Sequence, residues 1–236
     1  RLAYKPSENR LVWGAVSRAV RAPSRLDREV FVPINPPFVV VGGPNFESEV
    51  AIVYEAGYRS QPISKLGYSI TFFGHDWDKL RSGTSVPVFL ENKIEGWVYG
   101  IETWGDYHFS TACSVKGGLT YLREDLRLEP GSTDPVGVDN PNLRNDPDYY
   151  WRIGSSCDLP SNFEFDLDLR QVGSLTIQPV PGYTELNLRF GWQFLDDVEL
   201  AFVGRNLLHK SHPEFGQLPG RNDIERSFFA KITWSF

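Results

Sequence analysis

From Tyr183 to the end of the chain, apolar and polar residues alternate with a period of two. Leu186, Leu188, Phe190, Trp192 and Phe194 fall on one side, with Glu185, Asn187, Arg189 and Gln193 on the other. After Leu195-Asp196-Asp197, Val198, Leu200 and Phe202 are set against Glu199, Ala201 and Arg205. The last run places Phe228, Ala230, Ile232, Trp234 and Phe236 opposite Lys231, Thr233 and Ser235. Successive side chains of a strand point to opposite faces of its sheet, so these runs predict strands with one oily and one ionic face. In a soluble sandwich the oily face is the core and the ionic face meets water. In an outer-membrane barrel the oily face meets lipid and the ionic face a wet lumen. The connections weigh toward the barrel, because a tight Asp-Asp turn and a long Gly/Pro/His loop fall at opposite ends of the strands.

The same rhythm runs through the earlier chain. Strands are predicted at Arg10–Val20, about Glu47–Gly57, roughly Lys65–Trp77, a fourth ending near Thr103, and about Phe109–Arg123. Two more follow at Tyr149–Cys157 and from Phe163 to Arg170, which makes about ten of a length that crosses a bilayer at a tilt. Short turns are expected at Tyr58–Pro62 and Trp104–Tyr107, and at Leu159-Pro160-Ser161. Longer irregular loops are expected from Ala22 to Phe46, around Lys79–Val88 and from Asp125 to Asp148, where Pro, Gly, Asp and Asn accumulate. The fold class is all-β, an antiparallel transmembrane β-barrel portion in one domain over residues 1–236. A complete small outer-membrane barrel acting as a pore or enzyme, and a soluble β-sandwich binding module, are the alternatives.

Composition sharpens this picture in three places. Aromatic residues are 14% of the chain, enough for the girdles of a membrane barrel. Mean hydropathy is −0.32 and no apolar run approaches the length of a membrane helix, but a barrel escapes that test because half of each strand is polar. A net charge of −6 without a basic stripe argues against nucleic acid as a partner. The chain starts at Arg1 and holds no Met, and it is expected to be a piece of a longer protein.

Candidate chemistry is sparse. Glu55, Glu102, Asp166, Arg170, Arg189 and Arg205 all fall on the inward parity, together with Glu164, Asp168, Glu185 and Glu199. They are the residue types of an acid–base site, yet a wet lumen accommodates the same groups as docking contacts, and no catalytic residue is assigned. His75 and Trp77, in the run His75-Asp76-Trp77-Asp78, lie at an expected loop edge. His209 and His212 stand three apart in a loop without a third metal ligand nearby, so no metal or cofactor is expected. Arg21, Arg25 and Arg28 fall in the first long loop, where they could steer an anionic ligand. Trp13, Tyr99, Tyr149, Trp151, Trp192 and Trp234 suit an interfacial girdle. Cys113 and Cys157, the two cysteines, fall near the same rim and on the same outward parity, which places them as a possible disulfide.

Several stretches resemble the C-terminal barrel half of TonB-dependent outer-membrane receptors, in that family's order. They are Leu11 to Arg25, Tyr54-Glu55-Ala56-Gly57-Tyr58-Arg59, Gly100-Ile101-Glu102, Gly204 to Leu208 with His212 to Gly216, and Arg226 to Phe236. The aromatic end, with Trp234 and Phe236, is similar to the assembly signal of outer-membrane barrels. The resemblance implies a 22-stranded plugged barrel whose plug and earlier strands lie outside this chain. It also implies residence in the bacterial outer membrane and energy-coupled uptake of a ferric siderophore, a cobalamin-like compound or another scarce ligand. The implied partners are outer-membrane lipid, the protein's own plug, a TonB-type energy-transducing protein acting through that plug, and the outer-membrane assembly machinery.

Overall fold

The computed structural model describes residues 1–135, 145–177, 179–216 and 219–235. Its strands are β1 (Leu2–Ser7), β2 (Arg10–Arg21), β3 (Phe31–Val32), β4 (Val40–Val41), β5 (Glu49–Ile63), β6 (Leu66–Gly83), β7 (Val88–His108) and β8 (Cys113–Leu128). They continue as β9 (Tyr149–Leu159), β10 (Phe163–Val172), β11 (Tyr183–Leu195), β12 (Val198–Arg205), β13 (Ser211–Pro213), β14 (Asp223–Glu225) and β15 (Ser227–Trp234). One short helix, α1 (Arg25–Glu29), interrupts the first long loop. The main sheet runs β1-β2-β5-β6-β7-β8-β9-β10-β11-β12-β15, each strand antiparallel to its neighbours. Sequential pairing of this kind is the meander of an up-and-down barrel wall. β1 and β15 form its two edges, and the sheet does not close on itself.

Cross-strand register extends the sorting of faces across the wall. The row Val16, Tyr54, Gly74 and Tyr99 lies on the same parity as Leu167, Leu188, Gly204 and Phe228. That face is bare: Phe72 is 59% exposed, Phe202 55%, Phe228 72% and Ile232 71%. Phe190 and Trp192, which a sandwich would bury under a second sheet, are 41% and 42% exposed. No second layer covers this face among the described residues, so the sandwich alternative fails. The small-barrel alternative required the strand at Arg10–Val20 to pair with the last one. Instead β2 lies between β1 and β5.

Several boundaries differ from the sequence reading. Leu2–Ser7 is an additional strand, hairpinned onto β2. Tyr58–Pro62 and Trp104–Tyr107, expected as turns, are strand: Tyr58 pairs with Ile70, and Trp104 pairs with both Ser69 and Gly118. The actual turns are at residues 64–65 and 109–112. The loop expected around Lys79–Val88 shrinks to 84–87, because β6 and β7 run on for 18 and 21 residues. The extra length lies at the end of the sheet that carries the loops 22–48, 129–148, 173–182 and 206–226, so His75 and Trp77 sit within β6 and not at a loop edge.

That end has its own small core, in which Leu80, Ile94 and Leu126 are buried with Trp77, Val98 and Leu128 packed around them. Trp13 also departs from the girdle assignment. It pairs with Gly57 on the parity of Glu55 and Glu102, the polar face.

Candidate functional site

The polar face is an ion-pair lattice over β9–β12. Arg189 Nη1 lies 2.7 Å from Glu164 and 2.9 Å from Asp166, while its other terminal nitrogen binds Glu199 on the next strand. Arg152 pairs with Asp168, and Ser156 donates to Asp166 at 2.6 Å. The strands bring these groups together because Arg189 is directly opposite Asp166 in register and Glu164 is one inward residue along. Arg205 lies over the Phe229 ring at 5.1 Å. Across β5–β7 the same face is different. Glu55 and Glu102 take part in no ion pair or side-chain hydrogen bond among the described residues.

At the long-loop end of β10 and β11, the loop before β15 folds back onto this lattice. Arg170 Nη2 bridges Glu185 at 2.7 Å and Glu214 at 2.5 Å. Asn187 donates to Glu185, and the Tyr183 hydroxyl donates to Glu214. His212, 5% exposed, stacks on Tyr183 with ring centroids 4.0 Å apart, its Nε2 3.3 Å from Glu214. Asn206 is fully buried; its backbone N–H donates to Asn187 Oδ1 and its side-chain amide donates to the Ile224 carbonyl. Glu185, His212 and Glu214 present potential ligand atoms within 4.8 Å of one another. The oxygens nearest His212 already accept from Arg170 and Tyr183, so the cluster works as a hydrogen-bonded clasp for the loop. His209 stays outside it, exposed, its ring 6.3 Å from that of His212.

The first long loop is likewise held from within. Asp27 is completely buried. It caps α1 through Ser24 and pairs with Arg21 at 3.1 Å and Arg81 at 3.5 Å. Burial by itself would raise its pKa, but the Ser24 N–H and hydroxyl and the Arg21 guanidinium together hold the carboxyl below the usual carboxylate range. Arg21 also binds Glu49 across the neck of the loop. Arg28 donates to the Phe46 carbonyl from two nitrogens, at 3.1 and 3.0 Å. Two of the three arginines expected to steer an anion therefore brace the loop. Arg25, its side chain 92% exposed, reaches solvent and pairs with Glu29 one turn on.

His75 and Trp77 face inward beside Phe73, with centroid separations of 5.2 Å for His75–Phe73 and 6.4 Å for His75–Trp77. Trp234 donates its indole N–H to Asp197 at 2.9 Å, tying the last strand to the turn before β12. Phe236 lies outside the described residues. Cys113 and Cys157 are joined in a disulfide, at directly opposed positions of β8 and β9 with Cα atoms 4.2 Å apart. The bridge closes the open end of that hairpin. Trp104, Lys116, Tyr150 and Arg152 share the inner face of β7–β9, and the sequence singled out none of them as a site residue: Trp104 falls in an expected turn, and Lys116 reads only as one polar residue of its strand. Their shared parity becomes visible once the β7–β8–β9 register is known.

A family model described as TonB dependent receptor-like, beta-barrel matches residues 1–207. Among solved structures, the ferric-catecholate import receptor Fiu of E. coli K12 superposes with a TM-score of 0.76 at 16% identity, covering 99% of this chain and 34% of that one. The siderophore receptor PirA of Acinetobacter baumannii gives 0.76 at 15%, covering 99% and 40%. The copper transporter OprC gives 0.72 at 12%, covering 99% and 39%. At such identities the likeness concerns the fold. The chain spans only about two-fifths or less of the length of these proteins. No curated protein matches it in sequence. The family and its structural neighbours are receptors and transporters and not enzymes.

Proposed function

Because the chain belongs to the TonB-dependent receptor family, whose members are outer-membrane β-barrels, we propose that it builds about half the wall of such a receptor. The observation that carries this reading is the bare apolar face, set against an ionic face laced by Arg189, Arg152 and Arg170. In water, an exposed apolar surface of that extent is a liability; in a bilayer it is the contact surface.

In this reading the inner face meets a plug domain, the long loops face outside the cell, and the short turns face the periplasm. Cargo binds among the loops and plug tips, and a TonB-type partner working on the plug opens the passage. The assembly machinery recognises the aromatic C-terminal sequence that includes Trp234 and Phe236. Arg25, His75, Trp77 and His209 are the candidate cargo contacts. Arg21, Arg28 and His212 hold the loops that present them. Glu55, Glu102, Asp166, Arg170, Arg189 and Arg205 face the plug.

The cargo proposed is a ferric siderophore or a similar scarce chelate. The iron, siderophore and copper functions in the names of the structural neighbours support a metal-bearing cargo. A deletion strain grown on a panel of single iron chelates, cobalamin and limiting copper tests it. Growth lost on one iron chelate and restored by the intact gene is the expected result. Normal growth across the panel overturns the reading.

A further inference from the structure

We propose that the Cys113–Cys157 bridge is a register clamp for β8 and β9, made by thiol oxidation before the wall is complete; the timing rests on the outer-membrane reading above. The register of two antiparallel strands is fixed by a short turn, or by side-chain pairs that fit in one alignment only. Neither is strong here. The two strands are joined by the loop 129–148, whereas β7–β8 turns within 109–112 and β9–β10 within Pro160–Asn162. β8 pairs with β9 from Cys113 to Tyr121 and then runs on to Leu128 against β7. Next to the bridge the opposed pairs are Ser114–Ser156, Val115–Ser155, Lys116–Gly154, Gly117–Ile153 and Gly118–Arg152. Each contains a Gly or a Ser, so side-chain fit does little to resist sliding.

The bonds that could pin these strands point away from each other. Arg152 pairs with Asp168, Ser156 donates to Asp166 at 2.6 Å, and Trp151 donates to Gln171 at 3.0 Å, all on β10. Arg127 of β8 binds Glu95 of β7. Across the seam, Ser155 Oγ donates to the Ser114 carbonyl at 3.1 Å, a backbone acceptor that recurs every second residue. At the loop end Arg123 pairs with Asp148 at 2.8 Å, but both are half exposed and the pair contributes little. A slip of two residues leaves every side chain on its own face. It sets Leu119 against Tyr149 or Ile153 in place of Trp151, apolar against apolar in each case. The bridge excludes that alternative. Cys113 and Cys157 are directly opposed with Cα atoms 4.2 Å apart. A slip of two shifts them about 7 Å along the strand, beyond the span of a disulfide. Forming the clamp joins the two sulfurs and releases two protons and two electrons. The disulfide of a periplasmic oxidoreductase accepts them and leaves as a dithiol, which makes this chain its substrate.

Pulse–chase labelling of the full-length receptor in cells tests the order of events. Maleimide blocking scores the bridge, and heat-modifiable gel mobility scores the folded barrel. The bridge is expected in chains that are not yet heat-modifiable; a bridge that appears only in folded barrels overturns the clamp. Register is read by an added pair, Leu119→Cys with Tyr149→Cys, which links when the strands slip by two. Peptide mass mapping scores that link against Leu119→Cys with Trp151→Cys, opposed in the native register. Adding Cys113→Ser with Cys157→Ser is expected to raise the slipped link about fivefold. A bridge that only adds stability leaves the slipped link unchanged, so equal yields with and without it overturn the clamp. Failure of either readout in receptor recovered from the outer membrane leaves the outer-membrane reading standing. Unaltered receptor recovered outside that membrane, with both thiols reduced throughout, overturns the reading and the clamp together.

Discussion

The inner wall changes character between β5–β7 and β9–β12. Over β9–β12 a cluster of carboxylates is gathered by Arg189, Asp168 is held by Arg152, and Glu185 and Glu214 share Arg170. Over β5–β7 the carboxylates Glu55 and Glu102 have no ion pair or side-chain hydrogen bond among the described residues, on the face that also carries the rings of Phe73, His75 and Trp77. The first region matches its carboxylates with arginines of the same lattice. The second does not. One sheet can therefore carry a closed ion-pair lattice on one stretch and unpaired groups on another with no change of fold, because the side chains of one parity are free to vary while the other parity stays apolar.

The seam between the two regions gives the largest expected effect. Replacing Cys113 and Cys157 by Ser removes a cross-link with a sequence separation of 44 residues. Chain-entropy reasoning puts the loss at about 4 kcal/mol as an upper figure. Urea unfolding of the refolded chain in lipid vesicles, with and without reductant, measures it; equal midpoints would show that the seam carries no load.

Next comes Arg189→Ala, which strands Glu164, Asp166 and Glu199 beside one another. The side chain is 27% exposed, so the loss is expected at about 2 kcal/mol and not the full cost of a buried pair. The matching change in the other region, Glu55→Gln with Glu102→Gln, is expected to shift the same unfolding curve by less than about 0.5 kcal/mol. Equal effects from the two would erase the contrast between the regions.

The first long loop sharpens the comparison at the rim. The Asp27 carboxyl is held below its ordinary range in the folded loop, so its stabilising contribution is present above the unfolded carboxylate pKa. That contribution is lost as pH falls through the lower folded value. Limited proteolysis between residues 22 and 48 should accelerate only at strongly acidic pH. Asp27→Asn should remove that acid step and destabilise the loop by about 1 kcal/mol at neutral pH. Loop cleavage that is the same at every pH, in both proteins, would refute the assignment.

Much of this molecule is local in origin and so was readable in advance. A period of two specifies which parity is oily wherever one parity is uniformly apolar, as from Leu186 to Phe194 or Phe163 to Arg170. That was enough for β2 and the main-sheet strands from β5 onward, though not for β13 and β14, which lie in the expected long loop, and it was enough for the polar parity of Glu55, Glu102, Asp166, Arg170, Arg189 and Arg205, and for the common parity of the cysteines. Where both parities are apolar the code is degenerate. In β2, Leu11, Trp13 and Ala15 alternate with Val12, Gly14 and Val16, and only pairing with Gly57 and Glu55 places Trp13 on the inner face.

Turn positions also escaped a local reading. Trp104-Gly105-Asp106 has turn chemistry, but pairing with both Ser69–Gly67 and Lys116–Gly118 keeps it extended. The roles of the arginines depended on distance in the same way. Arg21 finds Glu49 and Arg28 finds Phe46 across 28 and 18 residues of chain. Side-chain alternation is written residue by residue, so the chain alone determined its faces wherever one parity is uniformly apolar. Register, turn placement and the partners of each charge come from hydrogen bonds between segments far apart in sequence, and those exist only once the sheet has formed.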